Sequence, residues 1–164
     1  MVSLGELVTG EGLHEGLDPE TGSLLVDLEA LSRRVLELVQ EAEREGVMLV
    51  VEGHYAHLVV PREHVLKALV LRRSPYELRE VLASRGYEGR KLSENLQAEI
   101  LDVCLCEAVD AYGPELVYEI DATGRRPEEV LEEALLALRA PGGKVGIVDW
   151  LGLLERDGRL DDFF

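Results

Sequence analysis

Leu28, Leu31, Val35, Leu38 and Ala42 recur at helical spacing, which predicts an amphipathic helix over 25–45 stopped by Gly46. The next five residues, 47–51, are all apolar and are followed by Glu52, Gly53 and His54. A run of that length without alternation predicts a strand buried on both faces. A second such run covers 66–71 and is closed by Arg72. Ser74-Pro75-Tyr76-Glu77 then places a capping Ser, an N1 Pro and an acid in the first turn, predicting a helix to about Ser84, before Gly86. Leu92, Leu96, Ile100, Val103 and Ala108 lie near one stripe and predict one longer helix over 91–112. The third strand is expected over 116–120, ending at Asp121. The turn 122–126 leads into Pro127-Glu128-Glu129, a helix start expected to run to about Arg139. Residues 1–23, rich in Gly and Glu, predict an irregular or partly helical flap, and 144–164 a tail after Pro141-Gly142-Gly143.

Helices alternating with wholly apolar strands imply the α/β class, with a parallel sheet covered by helices. Ligands of such sheets bind at the carboxyl ends of the strands. Those ends carry Glu52 and His54, then Arg72, then Asp121 with Thr123, Gly124 and Arg125. Such polar groups suit a phosphate and a metal.

The 164 residues suit one domain, and 46% hydrophobic with 30% charged residues supply both a core and a solvated surface. No stretch nears the roughly 18–20 apolar residues of a membrane helix, and residues 1–10 lack a signal-peptide pattern. The expectation is a soluble, cytoplasmic protein without a membrane partner. Thirty-three acidic against 17 basic side chains give a net charge of −16. That charge opposes strong direct binding to nucleic acid and favours basic partners. Cys104 and Cys106 are spaced for neither a disulfide nor a zinc site and are expected as buried thiols.

Several segments in colinear order give the chain a family likeness. Ser3-Leu4-Gly5-Glu6-Leu7, Val51-Glu52-Gly53-His54, and Val70-Leu71-Arg72 come first. Leu82-Ala83-Ser84-Arg85-Gly86-Tyr87, Lys91 and Glu94-Asn95, Glu119 to Arg125 with Pro127-Glu128-Glu129, and the tail Gly143 to Trp150 follow. Together they resemble the adenylate kinase isoenzyme 6 family of archaea and eukaryotes. The resemblance implies a P-loop-kinase-like fold and a nucleoside-monophosphate kinase using ATP and Mg²⁺, with ATPase activity and a role in small-subunit ribosome maturation. AMP or another nucleoside monophosphate and a basic small-subunit ribosomal protein are the implied partners. By the same resemblance, 1–164 is a single domain in which 3–26 covers the acceptor nucleotide, through Ser3, Gly5 and Glu6. Residues 84–94 form a lid whose Arg85 meets the ATP phosphates, and 141–164 is the tail. Glu52 is implied to hold Mg²⁺ through water or to orient an attacking water, with His54 assisting. The family usually has Asp at that position, so the reach to metal differs. Thr123, Gly124 and Arg125 are implied to flank adenine.

The same family opens with a strand, the loop G-x-x-x-x-G-K-[ST] and a helix, whose amides, Lys and hydroxyl bind phosphates and Mg²⁺. These 164 residues contain no such loop: Lys67, Lys91 and Lys144 are the lysines, and Val145 follows Lys144 where Ser or Thr is needed. The expectation is a sequence that starts too late, lacking the first strand, loop and helix. The runs 47–51 and 66–71 would then either pair directly or leave open edges. The alternative is a catalytically inactive acidic module that holds a basic ribosomal protein. His54 and His57 lack a third neighbour for a transition metal. Arg72, Arg73 and Arg79 are expected as surface ion pairs, and Trp150 as a packing anchor for the tail.

Overall fold

Parallel pairing joins the chain's start to the strand expected after its long helix. In the computed structural model, which describes residues 1–19 and 22–164, β1 (Val2–Ser3) pairs parallel with β4 (Val51–Glu52), placing Val2 opposite Val51 and Ser3 opposite Glu52. Contacts divide the chain into two units, Met1–Val65 and Leu66–Phe164.

In the first unit, β1 runs straight into α1 (Leu4–Glu11), and an antiparallel hairpin of β2 (His14–Leu17) and β3 (Leu24–Val26) follows. Residues 1–19 and 22–23 are therefore more regular than the expected flap. Residues 20 and 21 of the expected acceptor segment lie outside the described residues. The long helix α2 is Leu28–Glu45; Asp27 caps it, accepting the Ala30 N–H at 2.9 Å, and Gly46 (φ +67°) ends it. Its buried stripe is Leu31, Val35, Val39 and Ala42, rotated from the expected one, with Leu28 exposed. Leu4, Val8, Leu31, Val35, Val39 and Val59 form the core, each fully buried side chain contributing about 1.5–3 kcal/mol. After β4 come α3 (Ala56–Val59) and a 3₁₀ turn, Arg62–His64.

The run 47–51 is not a doubly buried strand. Only Val51 enters the ladder, and Val47, Met48 and Val50 are exposed. A continuous apolar run signals burial only where partners lie on both sides, and β4 has one ladder neighbour, β1, among the described residues.

The second unit is built on β5 (Ala68–Arg72) and β6 (Val117–Asp121), parallel and in register from Ala68 opposite Val117 to Arg72 opposite Asp121. Both strands begin and end one to two residues later than expected. β6 is deeply buried, but Leu69 and Leu71 of β5 are exposed, so that strand buries one face only. Among the described residues β5 pairs with β6 alone, leaving its other edge open; each strand's ladder stays within its own unit. Lys144 extends the pairing on the far side of β6: the Glu119 N–H donates to its carbonyl at 2.7 Å, and its own N–H donates to the Val117 carbonyl at 2.9 Å. Gly143 permits that approach, since a Cβ there would fall 1.7 Å from the Pro114 carbonyl oxygen.

Helix α4 (Pro75–Ser84) starts where expected, yet the Ser74 hydroxyl makes no capping bond. The single helix expected over 91–112 is two, α5 (Gly89–Ile100) and α6 (Val103–Tyr112). Asp102 breaks the run at φ +57°, the one non-glycine positive φ among the described residues. α7 (Pro127–Ala137) opens with Glu129 accepting the Arg126 N–H at 2.9 Å. The tail folds as α8 (Trp150–Asp157) and a 3₁₀ turn, Leu160–Asp162. Trp150, Leu154 and Phe163 pack with Leu82, Leu96 and Ile100 as this unit's core, so Trp150 does anchor the tail. Cys104 and Cys106 are exposed, contrary to expectation, because α6 buries the face of Leu105, Ala108 and Tyr112. No helix among the described residues is long and apolar enough to cross a membrane.

Candidate functional site

The parallel register of β1 and β4 sets Ser3 beside Glu52 at the carboxyl ends of both strands. Gly5 and Glu6 follow in the first turn of α1, so the fold gathers Ser3, Gly5, Glu6, Glu52 and His54 at one end of the first unit. Gly53 makes the turn possible: a Cβ there would lie 2.9 Å from Leu4 Cδ1. His54 meets Tyr55 edge to face, with ring centroids 4.6 Å apart. The Tyr55 phenol is raised above its ordinary pKa by burial and then by the charge of Glu52, which places that carboxylate in its field. Glu52, His54, Gly5 and Glu6 are exposed and Ser3 half-buried, so all can meet a ligand from solvent. A hydroxyl and a carboxylate on neighbouring strand ends are hard oxygen donors of the kind Mg²⁺ accepts while keeping most of its water. Among the described residues no three His, Cys, Asp or Glu side chains gather as a metal cage.

The second unit presents the loop after β6. Asp121 Oδ1 accepts the Thr123 N–H at 2.9 Å, and Thr123 Oγ1 accepts the Ser74 N–H at 2.8 Å, which links this loop to the one after β5. Gly124 turns the chain at φ +65°. The Arg125 guanidinium is already held, 2.6 Å from Glu133 and bonded to the carbonyls of Asp121 and Glu129. Glu133 also bonds Lys144 at 2.9 Å, and the two cations, Lys144 first, hold its carboxyl below the usual range. Thr123 to Arg125 are thus together and rigidly set, but the Arg125 charge is engaged rather than turned to a phosphate.

Arg85 is elsewhere in this unit. It caps the far end of α4, eleven residues beyond the Ser74 that touches Thr123, or about 16 Å along the helix axis. Arg85 is exposed and makes no ion pair among the described residues. The tip that follows turns at Gly86 (φ +80°) and Gly89 (φ +51°), with Lys91 stacked 4.7 Å over Tyr87 and Arg90 paired to Glu94 at 2.6 Å. Arg85, Arg90 and Lys91 thus lie exposed on a tip whose Tyr87 and Leu92 pack against the core of this unit. The structure does not bring Arg85 to Thr123–Arg125.

Arg72 departs most from expectation. It is not on a surface: at 1% exposure it is among the most buried side chains. Its Nη1 donates to Glu119 Oε1 at 2.5 Å and its Nε to Glu99 Oε1 at 2.9 Å. Its Nη2 donates to the Glu99 carbonyl at 2.9 Å and to the Asp102 carboxylate. Glu99 Oε1 also accepts the Trp150 indole N–H at 2.8 Å, and Glu119 Oε2 the Ile147 N–H at 2.8 Å. The sequence carries one signal for this cluster: Glu119 lies inside a strand otherwise written for burial, and a buried carboxylate requires a counter-charge. Arg73 does form an ion pair, with Glu77 at 3.0 Å, whereas Arg79 is half-buried, donating to the Asp162 carbonyl at 2.5 Å and lying 3.9 Å over the Phe163 ring.

The AAA domain family matches residues 1–102. Three archaeal relatives each bear the name "Putative adenylate kinase". The one from Methanocaldococcus jannaschii is 35% identical over 150 residues, covering 92% of this chain and 77% of its own length. Those from Thermococcus onnurineus and Methanothermobacter thermautotrophicus are 41% identical, over 91% and 92% of this chain and 76% and 84% of their own lengths. This chain belongs to the archaeal adenylate kinase-like family. The family match takes in Ser3, Glu52, His54 and Arg85, while Thr123 to Arg125 lie beyond residue 102. An adenylate kinase-like chain is thus assembled here with its strand-end groups in two sets, one in each unit.

Proposed function

We propose that this protein is a nucleoside-monophosphate kinase of the isoenzyme 6 type, transferring a phosphoryl group between ATP and AMP or a related acceptor, with slow ATP hydrolysis. The likeness to the archaeal relatives, colinear over nine-tenths of the chain, carries the reading. The site geometry supports it: oxygen donors and polar groups stand at the carboxyl ends of parallel strands. Phosphoryl transfer asks little covalent chemistry of a protein and much positioning and charge neutralisation. In this reading Ser3, Gly5 and Glu6 face the acceptor nucleotide, and Glu52 holds a hydrated Mg²⁺ or orients a water beside His54. Arg85 reaches the ATP phosphates when the 84–94 lid closes. Thr123 and Gly124 flank adenine with their backbone, and Arg125 shapes that loop through Glu133.

The reading requires a phosphate-binding loop, and these 164 residues do not contain one. Native protein purified from its own source should form ADP from ATP, Mg²⁺ and AMP. Absence of ADP formation would overturn the kinase reading.

The net charge of −16 favours a second role, holding a basic small-subunit ribosomal protein during ribosome maturation in the cytoplasm. Binding should weaken steeply with salt. If no basic ribosomal protein binds even at low ionic strength, this role is excluded.

A further inference from the structure

The Arg72 cluster stands where the lid helix ends. The Glu99 carbonyl belongs to the last turn of α5, one of the acceptors a helix cannot satisfy internally. Asp102, held by the same guanidinium, is the left-handed residue that separates α5 from α6. Through Glu119 the guanidinium is also fixed to β6, and its own backbone is the end of β5. Only a planar fork with several fixed donors can serve these positions at once. The other end of α5 is the opposite in character. It opens at Gly89 behind the exposed tip, about 18 Å away along a helix of twelve residues. One end of the arm is pinned in a buried ion cluster and the other is solvated.

We propose that Arg72 is a positioning residue, fixing the base of the α4–α5 arm to the carboxyl ends of β5 and β6 so that Arg85 moves about a set origin. This rests on the reading of 84–94 as a lid. The base of α4 is held in the same neighbourhood, by the Ser74 bond to Thr123 and by the Tyr76 hydroxyl donating to Asp157 at 2.7 Å. The cluster carries its own reporter, because Trp150 is the chain's single tryptophan and its indole bonds Glu99. Displacing Glu99 alters the surroundings of that one chromophore.

The test compares the whole chain with its Arg72→Lys, Asp102→Asn and Glu99→Gln variants by amide hydrogen exchange and tryptophan emission, without nucleotide. A lysine reaches one partner at a time, so Arg72→Lys should raise exchange at 97–106 by roughly tenfold or more. The β5–β6 amides should stay protected and the emission should move to longer wavelength. Asp102→Asn keeps a side chain tolerant of the left-handed backbone and removes one charged contact, so it should raise exchange in the same segment by less. Glu99→Gln retains an oxygen for Arg72 and Trp150 and should exchange and emit like the parent. Exchange that rises evenly over 66–164, or does not rise, with unchanged emission, overturns the proposal. Should the lysine variant fail to fold, Asp102→Asn decides, and no localised rise there has the same meaning. Adding MgATP to the native protein purified from its own source tests the lid separately. Unchanged exchange at 84–94 would remove the lid while leaving the anchor, which is read without nucleotide.

Discussion

Gly53 and Leu4 are packed so closely that a Cβ on the glycine would lie 2.9 Å from Leu4 Cδ1 and 3.0 Å from Leu4 Cβ. Leu4 is fully buried at the root of α1, so it has little room to yield. Gly53→Ala should therefore destabilise the first unit by about 1–3 kcal/mol, the usual range for overpacking. Urea denaturation of the single variant and of Gly53→Ala with Leu4→Ala checks this. The second substitution should cost less in the alanine background than alone, since it relieves the clash.

Asp27 is the cap on which α2 depends. Its carboxylate takes the Ala30 N–H at 2.9 Å, and α2 supplies four buried residues of the first unit. Asp27→Ala should lower stability by about 0.5–2 kcal/mol, and Asp27→Ser by far less, because serine also caps. A denaturation midpoint that does not move would show the bond to be immaterial.

Two carboxylates in the second unit should give opposite pH dependences. Glu133 is held low by Lys144 and Arg125, so its contribution is present above the unfolded carboxylate value of 4.5 and fades as pH falls through its folded pKa. Glu99 is raised, by burial above all and against the opposing pull of Arg72. Its contribution is full below 4.5 and is lost as pH rises through its folded pKa. Glu133→Gln should thus weaken the protein most at neutral pH and little in acid. Stability of the parent relative to Glu99→Gln should decline as pH rises above 4.5. Unfolding curves measured across pH for the three proteins check both signs.

Arg85 separates activity from stability. Exposed and without an ion pair among the described residues, it contributes little to the fold. Arg85→Ala should leave the melting temperature within about 1 °C and lower turnover of the native kinase about 10²-fold, as removal of a group that neutralises transition-state charge does. Turnover equal to the parent would remove Arg85 from the proposed site.

The helix stops and starts are legible in the sequence because they are local: Gly46 ends α2 and Pro127-Glu128-Glu129 opens α7 through chemistry within a few residues. Strand-end groups such as Glu52 and Thr123 are legible too, since an apolar run ending in polar residues marks where a strand meets solvent. The break at Asp102 is not, because the stripe Leu92, Leu96, Ile100, Val103 continues across it and the side chain that holds Asp102 is Arg72, thirty residues earlier in the chain. The exposure of Val47, Met48 and Leu71 is equally invisible, since a run of apolar letters gives no count of neighbouring strands. The cysteines misled for a related reason: the face of α6 that is buried is chosen by what packs on it.

The core of the second unit is made in two instalments. Leu82, Leu96 and Ile100 leave the ribosome first, and the Trp150, Leu154 and Phe163 that cover them emerge only after α6, β6 and α7. At roughly 5–20 residues per second the wait lasts several seconds, in which three large apolar side chains have no lasting cover. The order of synthesis thus makes the newborn α4–α5 pair, rather than the finished protein, the species most exposed to chaperones and to aggregation.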